Sequence, residues 1–120
     1  MPYTELAEHE ELQECITSNE SVVVYYGATW CRSCVQGAPI LDAVSSMEEY
    51  QSVKFYKVDI DKVPESKDSQ EIISIPLIVG YVKGKEIKRS VGISTDHLVE
   101  ITELTLPVPV EKEVVDSSLE

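Results

Sequence analysis

Apolar and polar positions along this chain switch between the period of a strand and that of a helix, and the switches divide it into elements. "YTELA" predicts a short edge strand. From about Glu8 the apolar residues Leu12, Cys15 and Ile16 recur at spacings of three and four, which predicts a helix with Cys15 turned to the core. "SVVVYYGA" is a continuous apolar, β-branched run ended by Gly27, the pattern of a strand covered on both faces. From Cys31 to about Glu49, Val35, Ala38, Leu41, Val44 and Met47 form a helical stripe, with a kink expected at Pro39. "VKFYKVDID" is a second apolar strand, and the polar stretch opened by Pro64 has room for one short helix. "IPLIVGYVKGKEIKRSVG" predicts two antiparallel strands joined at Lys83 and Gly84, where glycine permits positive φ. "STDHLVEITEL" predicts a last helix, capped by Ser94 or Thr95, with Leu98, Ile101 and Leu104 on one face. The order β-α-β-α-β-(short α)-β-β-α predicts an α/β fold, a mixed sheet with helices on both faces.

Length and charge narrow the reading. The 120 residues, 42% of them hydrophobic, suit one domain with its own core. Pro107 and Pro109 lack the amide hydrogens that a helix or central strand needs, so the domain is expected to span 1–106 and an acidic tail 107–120. With 22 acidic against 10 basic residues the formal charge is -12, which repels phosphate backbones and anionic lipid; neither nucleic acid nor a membrane is an expected partner. The start "MPYTELAEHEELQEC" carries carboxylates where a secretory leader needs basic residues, and no apolar run approaches the roughly 20 residues of a spanning helix. A soluble, cytoplasmic protein is the expectation. Three cysteines leave one thiol over in any disulfide framework, which also favours a reducing compartment.

The chemistry concentrates in "WCRSC". If Cys31 starts the long helix, its sulfur meets the unpaired amides and positive end of the helix dipole, which favour thiolate. Cys34, one turn on, is within reach of a mixed disulfide formed at Cys31, so Cys31 is expected to attack and Cys34 to resolve. Structural zinc takes about four ligands, and Cys15, His9 and His97 stand at no ligand spacing from the pair; no metal is expected. A disulfide closing so short a loop restrains little of the unfolded chain, which argues against a purely structural bridge. Cys15 reads as a small buried hydrophobe, and the two histidines as solvent-facing.

Trp30-Cys31-x-x-Cys34, Pro39, "KVDID" at Lys57 to Asp61, Ile75-Pro76 and Gly92 together resemble the thioredoxin family over about residues 3–105. The resemblance implies a sheet of about five strands in a three-layer sandwich, with Cys31 exposed, Cys34 buried and Pro76 cis. It implies a protein-disulfide reductase that needs no cofactor beyond the Cys31–Cys34 disulfide. Its partners would be disulfide-containing proteins and a thioredoxin reductase or equivalent electron donor, and it would act as a monomer. By the same resemblance Trp30, Ile75, Pro76 and Gly92 form the substrate surface, the Ile75 backbone pairing with an extended segment. An adaptor module with little turnover is the alternative. A disulfide-forming oxidase of a secretory compartment is a third reading, and it lacks a leader.

The chain departs from the family pattern in several places. Arg32-Ser33 stands where Gly-Pro is usual; an added cation and a lost restraint favour the dithiol, so a less reducing potential is expected. Tyr25 occupies the place of the family's buried aspartate, and a phenol is a poor base at neutral pH, so resolution should slow. Lys57, which would partner that aspartate, either bonds Tyr25 or turns to solvent. Gly27 replaces a bulky aromatic.

Overall fold

The computed structural model describes residues 2–107. The expected tail from 108 onward lies outside the described residues.

Five strands form one mixed sheet in the order β1-β3-β2-β4-β5. They are β1 (Tyr3–Leu6), β2 (Ser21–Gly27), β3 (Lys54–Asp59), β4 (Leu77–Val82) and β5 (Lys85–Val91). β2 runs parallel to β3 and antiparallel to β4, and every one of its residues is buried, as its unbroken apolar run requires. Alternation along β2 divides the core. Val22, Val24 and Tyr26 face α1 (His9–Ser18), while Val23 and Tyr25 face α2 (Arg32–Ser45) and α4 (Thr95–Thr105). A short α3 (Glu65–Ser69) follows Pro64. The β4–β5 turn places Lys83 and Gly84 at φ 52° and 83°, the left-handed pair that a two-residue hairpin demands. Ser94 caps α4, its hydroxyl accepting the His97 amide at 3.1 Å.

Several expected faces differ in detail. α2 ends at Ser45, followed by a separate 3-10 turn at Glu48–Tyr50 rather than a helix to Glu49, and it continues through Pro39. Its buried face is Cys34, Gly37, Leu41, Val44 and Ser45, with Val35 57% exposed, because small residues bring the helix close to the sheet on a stripe that hydropathy does not mark. On α4, Thr102 and Thr105 are buried and Leu104 is exposed; the threonine hydroxyls are satisfied by the Leu98 and Thr102 carbonyls. Cys15 is half-buried against the α1 core, and His9 is half-buried rather than solvent-facing, with its Nδ1 enclosed and unpaired.

Candidate active site

β2 ends at Gly27, and the chain then turns through Trp30 into α2, which carries both cysteines to the end of the sheet. Cys31 is the N-cap of α2, and its sulfur accepts the Cys34 amide at 3.3 Å. An amide aimed at that sulfur is the local form of the helix field that stabilises a thiolate. Cys31 and Cys34 are joined by a disulfide, with Cα atoms 5.2 Å apart. Cys31 is 8% exposed and Cys34 4%, so the attacking sulfur expected to be exposed is largely covered while bonded to its partner. Ser33 Oγ stands 3.5 Å from the Cys31 sulfur, and Arg32 is exposed beside it.

Trp30 is 68% exposed, yet its indole N–H donates to Asp61 Oδ2 at 2.7 Å, which fixes the ring over the end of β3. The Asp61 amide in turn donates to Asp59 Oδ1 at 2.8 Å. The Ile75–Pro76 peptide is cis, Pro76 is buried and Ile75 half-buried. Gly92, at φ 94°, donates its amide to the Pro76 carbonyl at 2.7 Å, tying the end of β5 to the loop before β4. Pro76, Gly92, Ser33 and Gly37 share an open groove on one side of the disulfide.

Tyr25 does not meet Lys57 through a hydrogen bond. Its hydroxyl donates to the Cys34 carbonyl at 2.6 Å, and burial pushes the phenol up to about 12. Gly37 makes room for it: a Cβ there would stand 2.8 Å from the Tyr25 oxygen. Lys57 is half-buried and lines a cleft of about 100 Å³ with Glu5, Asp59, Tyr25, Gly27 and Cys34. Pro39 lies on the exposed side of α2. Sequence reasoning passed over Asp59, Asp61 and Gly37; the signal was two carboxylates at alternate positions ending the strand beside the cysteine loop. Among the described residues no group of three or more His, Cys, Asp or Glu is placed to hold a metal, and no helix is long and apolar enough to cross a membrane.

The Thioredoxin family model matches residues 3–103. The chain belongs to the thioredoxin family. Thioredoxin-2 of Saccharomyces cerevisiae is 36% identical over 90 residues, 74% of this chain and 85% of that protein. A Mycobacterium leprae protein named bifunctional thioredoxin reductase/thioredoxin is 34% identical over 79 residues, 66% of this chain and 17% of the relative. The solved structure of Plasmodium falciparum thioredoxin superposes with a TM-score of 0.78 at 29% identity, covering 84% of this chain and 97% of its own. Family membership and the Cys31–Cys34 disulfide make the protein a thiol–disulfide oxidoreductase and favour redox turnover over the adaptor reading. Thioredoxins use no cofactor beyond that disulfide.

Proposed function

We propose that this protein reduces protein disulfides, with Cys31 attacking and Cys34 resolving. The observation that carries the assignment is the Cys31 sulfur at the N-cap of α2, accepting the Cys34 amide at 3.3 Å. Attack forms a Cys31–substrate disulfide and releases one substrate thiolate. Cys34 then closes the intramolecular disulfide and releases the second. The apolar ring of Trp30, half-buried Ile75 and the Pro76–Gly92 bridge supports docking of an extended segment against the Ile75 backbone. A dithiol reductase returns the electrons; that a relative bears the name of both activities in one chain supports such a donor. The formal charge of -12 supports a monomer and the count of three cysteines a cytoplasmic setting, with the redox unit in 1–106 and an acidic tail beyond.

Alkylation of reduced protein tests the assignment. At about pH 7 Cys31 should react at least tenfold faster than an ordinary cysteine, whose pKa is near 8.5. Cys34→Ser should trap substrates as mixed disulfides that Cys31→Ser does not form. Equal alkylation rates for Cys31 and a free cysteine would reverse the reading. Arg32 beside the pair supports a less reducing potential than that of a typical thioredoxin, each 30 mV being about 1.4 kcal/mol. Equilibration with glutathione should show Arg32→Gly shifting the potential downward.

A further inference from the structure

Resolution requires Cys34 to lose a proton inside the protein, where it is 4% exposed. The groups that enclose it on the sheet side are those of the cleft behind α2. Register fixes their arrangement: Glu5 on β1 lies opposite Lys57 on β3, which lies opposite Tyr25 on β2, and Asp59 lies opposite Gly27. Residues in register on neighbouring strands point to the same face, so Glu5, Lys57, Tyr25, Asp59 and the bare Cα of Gly27 all look toward α2. Gly27 is the contact point, since a Cβ there would stand 3.0 Å from both the Cβ and the sulfur of Cys34. Asp59 is one strand spacing away from that point, about 5 Å, and the cleft of about 100 Å³ leaves room for water between them.

The other groups in the cleft are poorer acceptors. Tyr25 is committed as a donor to the Cys34 carbonyl, and its phenol is held up to about 12. Lys57 as an ammonium has no lone pair. Glu5 stands a further strand away and two positions short of the Gly27–Asp59 register. Asp59 is 7% exposed, and one of its oxygens is anchored by the Asp61 amide, which leaves the other free to accept.

We propose that Asp59, through water in this cleft, accepts the proton of Cys34 as the mixed disulfide is resolved, taking the role that Tyr25 cannot fill. This rests on the assignment of Cys31 as attacker and Cys34 as resolver. In the step, the Cys34 S–H proton passes through water to the Asp59 carboxylate, and the Cys34 sulfur forms a bond to the Cys31 sulfur. The bond from Cys31 to the substrate sulfur breaks with its electron pair, and the substrate leaves as thiolate. The cysteine pair loses two electrons and the substrate disulfide gains them. Lys57, in register with Glu5, lines the cleft together with both carboxylates and brings a basic side chain to the same face. When a reductase reopens the disulfide, Cys34 takes up a proton again through the water of the cleft.

Reduced protein mixed with an equimolar aromatic disulfide releases its two chromophoric thiolates in two phases, the first from Cys31 attack and the second from Cys34. Asp59→Asn, which keeps an acceptor for the Asp61 amide, should leave the first phase alone and slow the second about 10–100-fold near neutral pH. The deficit should shrink as pH rises, because hydroxide then competes with the carboxylate as acceptor of the proton. An unchanged second phase, a slowing by one factor at every pH, or a profile moved by Glu5→Gln instead would overturn the proposal. Loss of the fast first phase in the unaltered protein would instead overturn the Cys31 assignment.

Discussion

Tyr25 shows how a polar group at the redox centre is made structural. Its hydroxyl is fully enclosed, donates to the carbonyl of Cys34, and fits under α2 only because Gly37 has no side chain. With the phenol held to about 12, phenolate at neutral pH amounts to about one molecule in 100,000, too few to serve as a base. Tyr25→Phe is therefore expected to lower stability by about 1 kcal/mol, the net worth of one hydrogen bond, as read from the urea midpoint. Its pH profile for insulin reduction should overlay that of the parent protein. A profile displaced by the loss of the hydroxyl would put Tyr25 back into the proton path.

At the scale of elements, α2 depends on how closely it approaches the sheet. A Cβ on Gly37 would run into Ile93 Cγ2 and stand 2.8 Å from the Tyr25 oxygen. Alanine is favoured over glycine inside a helix by about 1 kcal/mol, and overpacking costs about 1–3 kcal/mol. The clash should win, so Gly37→Ala is expected to lower the urea midpoint even though it improves helix propensity; a raised midpoint would mean that the helix can lift away freely. The same closeness explains what the sequence concealed. The strands, the Lys83–Gly84 turn, the Ser94 cap and the Trp30–Cys31–Cys34 cluster follow from local patterns of apolar period, glycine and capping chemistry. The buried face of α2 does not, because Gly37 and Ser45 are buried by proximity rather than by hydropathy. Asp59 and Asp61 escaped for another reason: a carboxylate at a strand end reads as solvated until the register of β3 against β2 sets it beside the cysteine loop. Loop anchorage is similarly non-local. Tyr81 donates to Gln70, Tyr26 lies 2.8 Å from Tyr81, and Arg89 donates to the Gln70 and Glu71 carbonyls, so β5 and the core together hold the segment leading to Ile75 and Pro76.

For the molecule as a whole, tyrosine ionisation sets an alkaline limit on the fold. Five of the six tyrosines, Tyr25, Tyr26, Tyr50, Tyr56 and Tyr81, have phenols raised above their ordinary value, mainly by burial and for Tyr50 first by its hydrogen bond to Glu103. A raised phenol favours the neutral form in the folded state, whereas the unfolded chain ionises from about pH 10. The stability held by these groups is thus complete below about pH 10 and is lost as pH rises through the folded value, about 12 for Tyr25, Tyr50 and Tyr56. The urea midpoint should stay nearly level from neutral to mildly alkaline pH and then fall, with tyrosinate absorbance growing in step with unfolding. A second cause must be separated from this one. The chain already carries a formal charge of -12, and loss of lysine protons adds self-repulsion in the same pH range. Salt at about 1 M shortens the screening length to about 3 Å and suppresses repulsion between exposed charges, but it barely reaches a phenol inside the core. The alkaline loss should therefore persist in high salt. Its disappearance there would assign the limit to surface charge and remove the tyrosines from the account.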